Sequence, residues 1–266
     1  MRPSDAAFEA YTGEYAEIYD DLVAGLRTKR EQYSEIAGVI VPVLKEGENN
    51  ILEIGPSKTD NLRQALVRRG IVDSDFGQIA EHEKFGRVEL YGLEYFPEMI
   101  NSRDDFSVEM VRGDVRMVLP FADNSFDVVV INSVLLSIDY EDLEGCMKEL
   151  SRVIRPNGAL ILSELDSCVG EEVSGNVLKR EVELMSLEYG QGFVEKVGFY
   201  FDLGRELWGK YSLKKRSDSV NRVITASHDG FDANELMDYM GLVGLQPDYV
   251  SRTYAGSYHL LRGRKV

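Results

Sequence analysis

The sequence predicts an α/β fold built around a mostly parallel sheet. Short apolar runs that end near glycine or proline alternate with helical patterns from residue 50 to residue 165. The run Phe126 to Asn132, FDVVVIN, is rich in β-branched residues, as in strands buried on both faces. Because strands that alternate with helices usually pair in parallel through right-handed crossovers, we expect this sheet to be wound in that way.

Each element is predicted from its own pattern. The predicted strands are Asn50 to Ile54, Val88 to Glu94, Ser107 to Arg112, Phe126 to Asn132, Ala159 to Leu165, and a closing antiparallel hairpin of Leu245 to Arg252 and Tyr254 to Arg262. Apolar residues at spacings of three and four predict helices over Tyr11 to Leu26, Arg30 to Leu44, a segment starting near Asp60, Pro97 to Arg103, Tyr140 to Arg155, Glu171 to Tyr189, and Asp232 to Leu242.

Three stretches fall outside this alternation of strands and helices. Gly70 to Arg87 has no clear period and is expected to be a surface insertion, and Pro156 to Gly158 predicts a turn. Residues 168–227 contain one convincing helix and an aromatic, glycine-rich section, which we interpret as a lid inserted after the fifth strand. The sequence therefore predicts an N-terminal helical cap at 1–46, an α/β core at 47–167, the lid at 168–227, and a final helix and hairpin at 228–266 that complete the core.

The composition limits the classes of function. A chain of 266 residues with 44% apolar content suits one α/β domain with insertions. The formal charge of −16 argues against a nucleic-acid partner, because phosphate neutralisation supplies most of the affinity in such complexes. Residues 1–10 lack the order of a secretory signal, and no apolar run is long enough to span a bilayer, so we expect a cytoplasmic protein. The basic run Lys210 to Arg222 is either a solvated loop or an anion-binding edge.

Cysteine and histidine usage points away from metal chemistry. Cys146 and Cys168 are too few for a disulfide framework, and they show no metal-ligand spacing with the three histidines. We therefore predict no metal site, and we expect both thiols to pack in the interior.

The turn after the first predicted strand marks the expected ligand site. The strand ends in Gly55-Pro56 and a helix follows, and ligands of open parallel sheets bind beyond the carboxyl ends of the strands. Glu53 is unusual there, because a carboxylate in a buried strand is costly unless a cation or hydrogen-bond donor meets it. Glu53 either faces a cofactor or forms a structural salt bridge.

Four separated stretches together resemble one family. ILEIGP, GLEYFPEMI, RGDVRMVLPFADNSFDVVVIN and ELSRVIRPNGALILSE resemble the class I S-adenosylmethionine-dependent methyltransferases, with the nearest likeness to the small-molecule branch that includes ubiquinone- and menaquinone-pathway enzymes. The resemblance covers roughly residues 50–164. It implies a Rossmann-like, seven-stranded sheet, S-adenosyl-L-methionine as the cofactor and S-adenosyl-L-homocysteine as the product.

The resemblance also implies roles for residues at strand ends. Glu94 matches the acidic residue that accepts both ribose hydroxyls, unless it caps the helix that follows. Asp114, with the backbone of Val115 beside it, matches the acceptor for the adenine amino group, unless it is an N-cap. Asn132 and Ser133 occupy the place where a backbone carbonyl of the family meets the methionine ammonium.

The first turn departs from the G-x-G-x-G pattern of the family. Gly55 is followed here by Pro56, Ser57, Lys58 and Thr59, so two of three glycines are replaced. The loop is either rebuilt, with Lys58 or the hydroxyls meeting the carboxylate of the cofactor, or it belongs to an S-adenosylmethionine-binding protein that is not a methyltransferase. That alternative includes a related group-transfer or cyclase-like enzyme and a non-catalytic subunit. A nicotinamide-dependent dehydrogenase fits the glycine pattern less well.

The resemblance implies methyl transfer to a small organic acceptor, in which the protein mainly holds the acceptor in line with the methyl group. A general base is needed only for a hydroxyl, a carbon acid or an ammonium. The candidates are His228, which is otherwise a surface histidine, and Tyr11, Tyr15 and Tyr19 of the first helix. Tyr95 either lies against the adenine or packs on the lid.

Overall fold

The computed structural model describes residues 26–56, 60–72, 79–82, 84–96, 100, 108–168, 173–189 and 230–266. In chain order the strands are β1 (Asn49–Ile54), β2 (Ile79–His82), β3 (Gly86–Glu94), β4 (Glu109–Arg112), β5 (Phe126–Asn132), β6 (Ile154–Leu165), β7 (Leu245–Thr253) and β8 (Tyr258–Lys265). The helices are α1 (Arg27–Ile40), α2 (Asn61–Arg68), α3 (Tyr140–Val153), α4 (Val173–Tyr189) and α5 (Ala233–Leu242).

All of these strands belong to one sheet. Its order is β2-β3-β1-β5-β6-β8-β7, and β4 also pairs with β3. The pairs β1–β3, β1–β5, β5–β6 and β3–β4 are parallel, whereas β8 lies antiparallel to both β6 and β7. This arrangement confirms the predicted Rossmann-like sheet with its antiparallel closing hairpin. It also places the carboxyl ends of β1, β3, β4, β5 and β6 along one edge, which we call the carboxyl edge.

The sheet separates two hydrophobic layers. Alternate residues of β5 enter opposite layers: Val128 and Val130 pack with α1 and α2, and Val129 and Ile131 pack with α3 and α5. Every residue of β5 is buried. The continuous apolar run is therefore explained by burial on both faces, with each large apolar side chain contributing about 1.5–3 kcal/mol.

Helix α1 is part of the layer that covers the sheet. Tyr33, Ile36 and Ile40 lie on one face and pack against the sheet residues of that layer. The α-helix ends at Ile40, and a short 3-10 turn contains Pro42. The helix was predicted to continue to Leu44; it stops earlier because Pro42 has no N–H to donate to the preceding turn.

Three local predictions need correction. The stretch from Gly70 to Arg87 was predicted to be a surface insertion, but it contains a strand, β2. This strand pairs antiparallel with the first half of β3, and β4 pairs in parallel with the second half of β3. The predicted turn at Pro156 is a bulge inside β6: pairing with β5 breaks after Ile154 and resumes at Ala159. Cys168 is exposed, although Cys146 is buried in the core as expected.

The described part of the predicted lid is α4, which packs on α1. Arg27 and Thr28 donate their backbone N–H groups to the carboxylate of Glu181, at 3.1 Å and 2.9 Å. A side chain 153 residues away thus satisfies two of the free N–H groups at the amino end of α1. The predicted helix Tyr11 to Leu26 and residues 190–227 lie outside the described residues, and the four predicted unit boundaries stay predictions. Among the helices described, none has the length and apolar character needed to cross a membrane.

Candidate active site

Backbone hydrogen bonds hold the chain in register just beyond the strand ends at the carboxyl edge. Gly55 N–H donates to Leu93 O at 2.8 Å, and Gly113 N–H donates to Glu94 O at 3.0 Å. On the other side of the edge, Ser133 N–H donates to the Ser163 carbonyl at 2.9 Å. The loops that follow the strands therefore start from fixed positions.

The first turn requires glycine at Gly55. Its φ of +66° lies in the left-handed region, and a Cβ atom there would stand 2.7 Å from Cγ2 of Val134. The next residue, Pro56, is buried. The predicted site residue Ser57, together with Lys58 and Thr59, lies outside the described residues, so the two interpretations of the altered loop stay open.

Glu53 is buried near the end of β1, with 7% of its surface exposed. Its side chain lines a small cavity with Asp60, Arg63 and Tyr91. Its carboxylate also acts on a lysine of α1, because it helps to raise the pKa of Lys29 against the effect of burial. Glu53 therefore belongs to a buried charged cluster at the carboxyl edge.

Glu94 is the last residue of β3 and is only 5% exposed. Its Oε1 accepts from the backbone N–H groups of Tyr95 and Phe96, at 2.9 Å and 3.1 Å. These bonds fix the plane of the carboxylate at the start of the following segment. A carboxylate held in this way can still accept further hydrogen bonds, since its two oxygens offer about four lone-pair sites.

Asp114 has a partner that the sequence analysis did not anticipate. Its carboxylate accepts from the Arg116 backbone N–H and, through both oxygens, from the Arg116 guanidinium, with the closest contact at 2.7 Å. Burial would raise the pKa of Asp114, but the hydrogen bonds and charge of Arg116 hold this pKa below its ordinary value. An adenine amino group bound here would share the carboxylate with the guanidinium.

Arg116 also organises the aromatic part of this site. Its guanidinium lies 5.6 Å from the ring centroid of Tyr95, and Tyr95 packs edge-to-face on Phe96. Tyr95 is 37% exposed, and Val115 is buried. An exposed aromatic ring is a suitable surface for a flat heterocycle.

The end of β5 joins a polar network from three elements. Gln32 of α1 donates through Nε2 to Asn132 Oδ1 at 3.0 Å and to Ser163 Oγ at 2.9 Å. Gln32 Oε1 in turn accepts from the Lys29 ammonium at 2.8 Å. Ser133 has a φ of +62°, an uncommon conformation for a residue other than glycine, of the kind that is concentrated at functional sites.

Lys29 is buried among aromatic rings. Its Nζ lies 4.9 Å from the ring centroid of Tyr254, 5.7 Å from that of Tyr258 and 6.0 Å from that of Tyr33. Burial lowers the pKa of Lys29 to about 8, although the charges of Glu164 and Glu53 oppose this shift. The ring faces replace part of the lost hydration, which allows an ammonium group to remain here.

Glu164, near the end of β6, is fully buried. Its Oε1 accepts from the N–H groups of Val134 and Leu135, each at 3.0 Å, in the 3-10 turn that follows β5. Burial raises the pKa of Glu164 to about 7, despite these hydrogen bonds and the positive charge of Lys29. A carboxyl with this pKa can exchange a proton near neutral pH.

The structure brings most of the predicted cofactor residues to the carboxyl edge. Those described there are Glu53, Gly55, Pro56, Glu94, Tyr95, Asp114, Val115, Asn132 and Ser133. The predicted catalytic residues His228, Tyr15 and Tyr19, and also Tyr11, lie outside the described residues. The sequence analysis missed Lys29, Gln32, Glu164 and the rings of Tyr254 and Tyr258. The sequence does carry a signal for Glu164, because it is an acidic residue within a buried strand, as Glu53 is.

These residues fit S-adenosylmethionine. Glu94 presents an oriented carboxylate suited to a vicinal diol, and Tyr95 offers an exposed ring. Within the described ranges, no group of three or more histidine, cysteine or acidic side chains could hold a metal ion.

Parts of the chain are similar in sequence to known methyltransferases. A methyltransferase domain family model matches residues 76–162. Demethylmenaquinone methyltransferase of Corynebacterium glutamicum strain R is 42% identical over 71 residues, which cover 27% of this chain and 30% of that protein. The same enzyme of Staphylococcus saprophyticus is 33% identical over 81 residues, 29% of this chain and 34% of that protein. The chain thus matches only 30% to 34% of the length of these curated relatives.

The fold likeness extends over the whole chain. A solved S-adenosylmethionine-dependent methyltransferase of Thermotoga maritima, described as a possible histamine N-methyltransferase, superposes with a TM-score of 0.53 at 17% identity and covers 100% of both chains. The 1,6-didemethyltoxoflavin-N1-methyltransferase of Burkholderia thailandensis, solved with S-adenosylhomocysteine, gives 0.53 at 13% identity over 99% of this chain and 90% of that one. The chain therefore has the fold of class I S-adenosylmethionine-dependent methyltransferases, and its residues 76–162 match a methyltransferase domain family.

Proposed function

We propose that this protein transfers a methyl group from S-adenosylmethionine to a small organic acceptor. The observation that carries the proposal is the convergence of Gly55, Glu94 and the Asn132-Ser133 strand end on one edge of the sheet. The similar proteins support a small acceptor, because two of them are named for demethylmenaquinone and 1,6-didemethyltoxoflavin. The net charge of −16 gives no support to a nucleic-acid acceptor.

Bound S-adenosylmethionine supplies an activated methyl group, so the protein's main task is positioning. In this proposal Glu94 binds the ribose hydroxyls, Tyr95 and Val115 border the adenine, and the backbone at Gly55 and Ser133 holds the methionine end. Rigid strand ends suit this task, because holding two reactants in line can supply about 7–11 kcal/mol of the barrier reduction.

The proposal extends to the predicted lid. Helix α4, which begins the 168–227 insertion, is bonded to the amino end of α1 through Glu181, and Lys29 lies one residue after Thr28 in the same helical turn. We propose that the insertion covers the acceptor side of the carboxyl edge. A cover at this place excludes water from the reaction.

Calorimetric titration with S-adenosylhomocysteine tests the proposed function. Glu94→Ala should weaken binding by about 1.5–3 kcal/mol, or about 10- to 150-fold, because a charge-assisted acceptor pair is lost. Glu89→Ala is the matched control: it lies on the same strand but pairs with Arg87, away from the carboxyl edge.

Two outcomes would contradict the proposed role. One is an unchanged dissociation constant in a Glu94→Ala protein that melts cooperatively, and the other is an equal loss in the Glu89→Ala control. A protein that binds S-adenosylhomocysteine normally but methylates no acceptor would instead support the non-catalytic alternative.

A further inference from the structure

One oxygen of the Glu164 carboxylate lacks a hydrogen-bond donor among the residues that the structure describes. Oε1 accepts from the N–H groups of Val134 and Leu135, and the backbone N–H of Leu136 also helps to lower the pKa of the carboxyl. The buried Oε2 receives no hydrogen bond from the described part of the chain. A buried acceptor left unsatisfied costs about 1–3 kcal/mol. Such a cost at a strand end beside a ligand site suggests that the missing donor is supplied by a bound molecule.

The position of Glu164 fits a donor on the methyl acceptor. Val134 and Leu135, which hold Oε1, follow directly on the Asn132-Ser133 strand end. Under the proposed function, this strand end meets the methionine part of the cofactor. The Glu164 carboxylate is thus fixed beside the strand end that, under the proposed function, meets the methionine part of the cofactor.

We infer that Oε2 of Glu164 takes the proton that the acceptor loses when it is methylated. The inference rests on the proposed methyl transfer and adds the class of acceptor: a hydroxyl, an N–H or an acidic C–H that has a proton to give. The acceptor releases its proton to Glu164 and uses the freed electron pair to bond the methyl carbon. The electron pair of the breaking carbon–sulfur bond stays on sulfur, and Glu164 becomes neutral.

The charged groups around Glu164 suit this role. Lys29 faces it from α1 and stabilises negative charge, while Glu53 of β1 acts on Lys29. From β8, Tyr258 stays a neutral phenol, because burial raises its pKa to about 12. His259, opposite Glu164 in the β6–β8 register, directs Nε2 towards Asp166 at 3.4 Å. The lysine would also stabilise an acceptor anion once the proton has moved to Glu164.

The probe for this inference is 4-nitrophenol, whose anion has its own visible absorbance. The probe is added to the complex of the full chain with S-adenosylhomocysteine at about one pH unit above its solution pKa, where Glu164, with a pKa of about 7, is ionised. It should be bound mainly with its proton, because the Glu164 carboxylate shares that proton. In Glu164→Gln no carboxylate shares the proton, so more of the bound probe should be the phenolate at that pH. The affinity for S-adenosylhomocysteine should change by less than about twofold, or about 0.4 kcal/mol.

A matched control is Asp127→Asn. Asp127 is also a buried carboxylate of a central strand, but it lies at the opposite edge, where it pairs with Lys45 and Arg155. This variant should bind the probe with the same visible absorbance as the wild-type protein. If Glu164→Gln does not fold, infrared difference spectra of the wild-type complex serve instead, since probe binding should create the carbonyl band of a newly protonated carboxyl.

The outcomes separate this inference from the proposed function. If the wild-type protein does not bind S-adenosylhomocysteine, the proposed function fails and the inference fails with it. If S-adenosylhomocysteine binds but the phenolate signal is equal in wild type and Glu164→Gln, only the inference is overturned. It is also overturned if the wild-type complex binds no probe, or if no carboxyl band appears.

Discussion

Replacing Glu164 by glutamine should change how the stability of the protein depends on pH. The glutamine carbonyl can still accept from Val134 and Leu135, so the main structural contacts of the side chain are kept. What the substitution removes is a buried group that can ionise. The effect should therefore appear as a pH-dependent gain in stability rather than as a loss of packing.

The size and sign of this change in the free energy of unfolding follow from the pKa of Glu164. Burial raises the pKa of Glu164 from 4.5 to about 7. Between these values the folded protein keeps a proton that the unfolded chain releases, so wild-type stability falls as pH rises through this window. The difference of roughly 2.5 pKa units corresponds to about 3 kcal/mol, complete above pH 7. Glu164→Gln avoids this loss, although it also gives up the attraction of Lys29 for the carboxylate.

Urea unfolding of both proteins, measured at intervals from about pH 4.5 to about pH 8, tests this prediction. Subtracting the two curves cancels the titration of all groups that the proteins share. The difference should grow with pH in favour of the variant, by up to about 3 kcal/mol, and level off above pH 7. A difference that stays constant across the range would refute the reasoning, because Glu164 would then titrate alike in the folded and unfolded states.

Two other contacts give predictions of their own. Arg116→Met should raise the pKa of Asp114, because burial would then act without the guanidinium; carboxyl-carbon NMR titration measures it, and an unchanged pKa would contradict the pairing. Glu181→Ala should lower the free energy of unfolding by about 0.5–2 kcal/mol, because the amino end of α1 loses its cap. In urea unfolding the exposed Glu144→Ala is the control, and equal losses in both variants would argue against a capping role.

The sequence predicted those parts of the fold that have a local signal. The run Phe126 to Asn132 is β5 with the same bounds, because burial on both faces demands an unbroken apolar strand. β2 was missed because it has only four residues, Ile79–His82, at the edge of the sheet, where no hydrophobic alternation is needed. Pro156 gave a correct signal of broken pairing, but sequence alone does not distinguish a turn from a bulge.

The two halves of the candidate site also differ in whether their residues have a local sequence signal. The cofactor side is built from residues at strand ends, such as Gly55 and Glu94, and each lies in a short motif that the chain carries in one piece. The proposed acceptor side is built from α1, β6 and the turn before β8. Gln32 reaches a serine 131 residues away, and the rings around Lys29 come from both ends of the described chain. No local pattern encodes such a cluster, since only the folded sheet brings its members together.

The polar character of the acceptor side argues that the cluster has a purpose beyond stability. Its buried lysine and glutamate both have pKa values displaced towards neutrality by burial, so each costs free energy in its charged form. Apolar residues of similar size would pack in the same space without that cost. Lys29 offsets part of this cost through Gln32 and three tyrosine rings, but no residue in the described ranges donates a hydrogen bond to Oε2 of Glu164. An uncompensated cost at the edge where the cofactor residues converge is what a site for proton transfer would retain.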